Sequence, residues 1–179
     1  MEDVRFRSES GRLALFSVMV AVTTVANLIV VPMPQPLAQY DLSPILIYSL
    51  AVLMPPITSG LIIGLAQGIG TLYKTMVFGF PPVYVAGAVL VRGSEAVLIS
   101  LIAGITSSKR SNRVTGWEIV AMIVGVVWET IGFFTADAVL FGIGPAMLSL
   151  LTIADAMFIP VAVGVVVAVR RTLNVKRLM

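Results

Sequence analysis

From residue 13 to residue 31 the chain carries no charged side chain, and further apolar stretches follow up to residue 169, divided by prolines, glycines and one short polar turn. A hydrocarbon core about 30 Å thick is spanned by about 20 apolar residues as helix, because each backbone amide must find its partner within its own segment. A chain of 179 residues therefore has room for six crossings with short connections, and none for a soluble catalytic domain. Only 12% of its residues are charged, against about 25% in soluble domains. The expected fold class is an all-α integral membrane protein of six transmembrane helices, one domain over residues 1–179.

Prolines and glycines set the expected boundaries. Helix 1 is expected at about 13–31, before Pro32-Met33-Pro34-Gln35-Pro36, and helix 2 at about 42–54, stopped by Pro55-Pro56. Helix 3 follows at about 57–78 and, after Gly79-Phe80-Pro81-Pro82, helix 4 at about 83–107. Helix 5 is expected at about 117–141 and, after Gly142-Ile143-Gly144-Pro145, helix 6 at about 146–169. Helix 2 would reach only about 20 Å, and charge decides whether it crosses. Ten of the twelve Lys and Arg fall in three groups: Arg5, Arg7 and Arg12; Lys109, Arg110 and Arg113; and Arg170, Arg171, Lys176 and Arg177. With six crossings all three groups lie on one side, which the positive-inside rule makes the cytoplasm, with both termini. The same placement explains the basic balance without nucleic acid.

Cysteine and histidine are both absent. Thiolate chemistry, zinc–sulfur sites and the usual neutral-pH base are thereby excluded, and no metal or cofactor is expected. The start of the chain does not read as a cleaved signal, since the run 13–31 is long and lacks a small-residue cleavage site.

Polar residues within the spans carry the functional signal, because a charge at the bilayer centre costs about 2.5–3.5 kcal/mol on insertion scales. Helical spacing puts Gln67, Thr71 and Lys74 on one face of helix 3, and Arg92 with Glu95 on one face of helix 4. Glu129 and Asp137 flank Phe133 on helix 5; Ser149, Thr152 and Asp155 are spaced by three on helix 6. Arg92 and Asp155 each sit roughly 13 Å below the outer end of their helix. Stripes at one depth predict a small-molecule cavity, open outward and closed below by apolar residues. The outer loops 32–41, 79–82 and 142–145 would add Tyr40, Asp41 and Tyr84. Trp128 and Phe133 could stack a planar ligand or simply pack. The candidate binding set is thus Tyr40, Asp41, Lys74, Tyr84, Arg92, Glu95, Trp128, Glu129, Asp137, Thr152 and Asp155. Its bland alternative is a buried ion-pair group that only fixes helix register. Among the embedded groups, four acids face two bases, which favours a cationic or amine-bearing ligand. Gly60, Gly64 and Gly68 form a close-approach ridge on helix 3. Ala14, Ser17 and Ala21 give helix 1 a small-residue face, for another subunit or for a helix of the same chain.

Between residues 13 and 171 the sequence resembles the substrate-binding S components of energy-coupling factor (ECF) vitamin transporters. The resemblance rests on Tyr40-Asp41-Leu42-Ser43-Pro44 before a short helix, a glycine-rich third helix, and Gly79-Phe80-Pro81-Pro82-Val83-Tyr84. It also rests on Leu90-Val91-Arg92-Gly93-Ser94-Glu95-Ala96, similar to the family's basic-residue–Gly–x–Glu pattern with Arg where Lys is common, and on Trp128-Glu129. It implies a non-enzymatic subunit in a prokaryotic plasma membrane that binds a vitamin or related micronutrient from outside, under a loop 1 lid. It further implies partnership with a membrane T component and two cytoplasmic ATPases, and release of substrate by toppling. In the family an Ala-xxx-Ala face on helix 1 docks the T component; here Ser17-xxx-Ala21 stands in its place, beside Ala14. An acidic, aromatic pocket leans toward thiamine or a pyrimidine precursor, with riboflavin and biotin open. The competing classes are a small intramembrane enzyme acting on a lipid precursor, disfavoured by inner loops that offer only basic residues, and a stand-alone carrier or channel, disfavoured by an apolar inner half.

Overall fold

The computed structural model describes residues 9–31, 40–79, 81–105 and 113–173. Arg5, Arg7, Lys109, Arg110, Lys176 and Arg177, with Gln35 and Gln39 of the expected lid, lie outside the described residues.

Helix α1 (Glu9–Leu28) leads into a two-residue strand β1 (Val30–Val31), which pairs antiparallel with β2 (Tyr40–Asp41) so that Val30 faces Asp41 and Val31 faces Tyr40. The first helix thus begins four residues earlier than its apolar run and ends three residues sooner, since its last residues extend toward the proline-rich loop. Next come α2 (Ser43–Leu53), α3 (Pro56–Phe78), α4 (Val83–Ile105) and α5 (Gly116–Phe141). The last crossing is divided. It comprises α6 (Ile143–Ser149), a 3-10 segment (Leu150–Phe158) and α7 (Ile159–Leu173), where one continuous α-helix was expected. Among the described residues, five stretches are long and apolar enough to cross a membrane, with α2 a shorter sixth helix.

Helix α2 explains its own length. It is the centre of the bundle: Ile47, Tyr48, Leu50, Ala51, Val52, Leu53 and Met54 are all buried, packed against α4 and α7. A helix apolar on every side needs neighbours on every side. Eleven residues reach only about 16 Å, and Ser100 of α4 closes its end by donating to the Met54 carbonyl at 2.6 Å.

Glycine sets how closely α3 can approach its neighbours. A Cβ at Gly60 would meet the Gly93 carbonyl of α4 at 3.2 Å, and one at Gly93 would meet the Gly64 Cα at 3.5 Å. The ridge read from sequence is therefore spent on the α3–α4 contact. On the α1 side, a Cβ at Gly70 would lie 2.8 Å from the Asn27 side-chain carbon and 3.2 Å from its Cβ. Gly70→Ala should therefore lower stability by about 1–3 kcal/mol, the usual cost of overpacking. A melt equal to wild type in detergent would show that α1 shifts freely, against the buried setting of Asn27.

At the end carrying Arg113 and Arg171, Thr115 and Glu118 cap α5 reciprocally. Glu118 then takes a two-point grip from Arg170 of α7, Nη2 to Oε1 at 2.6 Å and Nη1 to Oε2 at 3.1 Å, while Arg170 also donates to the Arg113 carbonyl at 3.2 Å. A buried carboxylate in the first turn of α5 complements that helix's dipole and holds the end of the chain's last helix.

Candidate functional site

The site is built outward from Asp41. Its position follows from a local device: one oxygen accepts the Ser43 backbone N–H at 2.9 Å and the Ser43 hydroxyl, an Asx turn that opens α2. With that oxygen engaged, the other faces the first and third helices. Asn27 of α1 donates to it at 3.1 Å, and Lys74 of α3 approaches it at 3.1 Å. Asn27 also donates to Gln67 at 2.7 Å. One carboxylate thus ties the end of loop 1 to α1, α2 and α3.

Arg92 of α4 carries the network on. Its Nη1 donates to the Ser43 hydroxyl at 2.6 Å and lies 3.5 Å from Asp41, its Nε is 2.9 Å from Glu129 of α5, and its Nη2 is 3.6 Å from Asp155 of the 3-10 segment. The Phe133 ring centroid is 6.0 Å from the guanidinium carbon. A planar fork with donors on three sides suits this role, and an ammonium does not. Asp41, Lys74, Arg92, Glu129 and Asp155 are all buried. They meet one another, because opposite charges in a low-dielectric interior gain most by closing on each other.

One turn along α4 from Arg92, Glu95 is wholly buried, and neither of its oxygens has a hydrogen-bond partner among the described residues. The Tyr48 hydroxyl of α2 is buried in the same condition. With Glu95 the cluster holds four carboxyls, Asp41, Glu95, Glu129 and Asp155, against two cations.

The other candidates fall nearer the loop 1 end or outside the cluster. Asp137 accepts from Ser149, and the Tyr84 ring stacks on Phe141 with centroids 5.6 Å apart. The Tyr40 hydroxyl donates to the Leu151 carbonyl at 2.6 Å. Burial, then the Asp155 carboxylate, hold that hydroxyl above its ordinary range, so it stays a neutral donor. Thr152 lies 3.1 Å from Thr130 of α5. Trp128 is exposed on the lateral face, its indole N–H donating to Ser94 at 2.9 Å. Ala14, Ser17 and Ala21 lie exposed along α1. A separate apolar groove of about 660 Å³ runs along the α3–α4 seam, lined by Leu61, Leu65, Val89 and Val97 among others.

Asn27, Ser43, Tyr48 and Thr130 were absent from the sequence-derived set. Two had a signal. Asn27 is a lone amide in an uncharged run, and Ser43 stands two residues after Asp41 at a proline-started helix, the spacing of an Asx turn.

Chemically the cluster offers charge-assisted donors and acceptors with no activated nucleophile, and among the described residues no group of acids is placed to share a metal ion. Such an arrangement binds and orients. A family model described as ECF-type riboflavin transporter, S component, matches residues 9–177. No curated protein matches the chain.

Proposed function

The chain belongs to the ECF-type riboflavin transporter S-component family, and from that premise we propose that it captures riboflavin at the Asp41–Lys74–Arg92–Glu129–Asp155 cluster. Membership makes it a membrane-embedded, multi-pass substrate-binding subunit of an ECF transporter, a transport component rather than an enzyme. The observation that carries the site is the convergence of five buried ionisable side chains from β2, α3, α4, α5 and the 3-10 segment at the end of loop 1. Five such groups inside a bilayer exceed what helix register requires. Asp41 sits where loop 1 rejoins the bundle, so a ligand that draws on Arg92 or Lys74 also acts on the residue that anchors the end of that loop. Tyr40, Tyr84, Glu95, Trp128, Asp137 and Thr152 complete the proposed ligand-binding set.

What supports riboflavin is the family description; what supports a cationic ligand such as thiamine is the carboxyl surplus. A thermal-shift screen of the detergent-purified chain separates them. A ligand held at a thousand times its Kd adds about 4 kcal/mol. We expect riboflavin to give that shift and thiamine, hydroxymethylpyrimidine and biotin to give none. A shift with thiamine alone would replace the substrate, and no shift with any vitamin would remove the vitamin-capture reading.

The remaining assignments belong to the same proposal. The loop 1 end faces outward, and the Arg113–Arg171 end with both termini faces the cytoplasm. A T component docks on the exposed Ala14, Ser17 and Ala21 face, and two ATPases drive the assembly. Ser17→Trp should then block uptake while sparing binding.

A further inference from the structure

The sixth crossing winds as a 3-10 helix for nine residues, whereas such runs rarely exceed three or four because their hydrogen bonds are poorer. Local sequence accounts for only its last turn, where Pro160 has no N–H to offer the Ala156 carbonyl and its ring crowds that oxygen. Leu150–Phe158 itself contains neither proline nor glycine and is rich in leucine, alanine and methionine, all good α-formers. Contacts across the bundle supply a reason for the rest. At three residues per turn, Ser149, Thr152, Asp155 and Phe158 fall in one straight row. These are the residues that face inward, while most of those between them are exposed. Each polar member of the row meets a partner: Ser149 donates to Asp137, Thr152 lies 3.1 Å from Thr130, and Asp155 lies 3.6 Å from Arg92. In an α-helix successive members of the row would turn by about 60°, leaving Ser149 and Phe158 on opposite sides. The three contacts cannot all survive that change.

We propose that Thr130 is a positioning residue for the ligand site: through Thr152 it holds the 3-10 winding that presents Asp155 to Arg92, and the winding and occupancy of the site are one equilibrium. The ligand part rests on the reading of Asp155 and Thr152 as ligand contacts. Thr130 itself is buried and donates to the Val126 carbonyl at 2.8 Å, so its oxygen is fixed before Thr152 reaches it. A released segment relaxes to α and shortens by about 4–5 Å over its nine residues, at about 1.5 instead of 2.0 Å each. That draws α6, and with it the Tyr84–Phe141 end of the bundle, toward α7.

The chain has no cysteine, so spin labels can be placed cleanly at Ile143→Cys and Val161→Cys, both exposed and on either side of the segment. The labelled full chain is reconstituted in nanodiscs without ligand, and the separation is read by pulsed electron paramagnetic resonance. Thr130→Val should shorten it by about 4–5 Å, and Thr130→Ser should restore it. Thr152→Val removes the same contact from the other side, together with the Thr152 bond to the Ser149 carbonyl at 2.7 Å, and carries the test should Thr130→Val not fold. An unchanged separation in folded valine variants would overturn the proposal, since the winding would then be intrinsic. So would a Thr130→Ser variant as short as Thr130→Val. Riboflavin affinity on the same samples tests the coupling: Thr130→Val should weaken it about tenfold and Thr130→Ser should not. Equal affinity in a shortened variant sinks the coupling, whereas absence of riboflavin binding in every sample, wild type included, counts against the substrate assignment alone.

Discussion

Arg92→Ala is expected to abolish ligand binding and to lower stability by about 3–5 kcal/mol, the cost of leaving buried charge without its partner. Three carboxylates, Asp41, Glu129 and Asp155, lie within 3.6 Å of this one guanidinium, and Ser43 loses the donor that anchors the start of α2. From sequence alone, Arg92 reads as a ligand contact; the geometry makes it the hub of the fold as well. Arg92→Lys should recover only part of the loss, because a single ammonium cannot present separate donors to Glu129, Asp155 and Ser43. Glu95→Gln provides the contrast. Both Glu95 oxygens lack hydrogen-bond partners among the described residues, and the cluster already has more carboxyls than cations, so neutralising this one should leave the melt unchanged or raise it. Denaturation in detergent followed by circular dichroism reads all three variants. An Arg92→Ala melt equal to wild type would mean that the carboxyls are held neutral and that the cluster is no ion-pair hub.

How much of this was legible in the sequence depends on the range over which each feature is decided. The all-α membrane fold was legible because span length and the proline–glycine breaks are local properties. The polar stripes were legible for the same reason: spacing alone put Arg92 beside Glu95, and Ser149, Thr152 and Asp155 in one row. What those side chains do to each other was not legible. Pairing depends on which helices become neighbours, and α2 at the centre, with α4 between α3 and α5, is a tertiary outcome. The 3-10 winding was not legible either, since the composition of Leu150–Phe158 is α-forming. Asp41 shows both sides. Its turn with Ser43 is a local device written in Asp41-Leu42-Ser43-Pro44, whereas its bonds to Asn27 and Lys74 require α1 and α3 to be in place.

The Glu118–Arg170 pair supplies the second large effect, at the opposite end of the molecule from the ligand site. Arg170 is only 2% exposed and grips Glu118 at two points, so Arg170→Ala should strand a carboxylate that also caps α5. The expected loss is again about 3–5 kcal/mol, with riboflavin affinity per folded molecule unchanged. In sequence Arg170 counts as one of a basic group marking membrane sidedness, and only the capping-box spacing of Thr115 and Glu118 hints that this end is organised. The double variant Glu118→Gln/Arg170→Met separates pairing from mere burial. Removing both charges together takes away the uncompensated ion, so the pair should be far less costly than either single change added to the other. Additive losses would instead mean that the two side chains act independently, Glu118 as a cap on α5 and Arg170 through the Arg113 carbonyl. A double variant close to wild type would show that the pair is kept for specificity of helix placement rather than for net stability, tying the end of α7 to the start of α5.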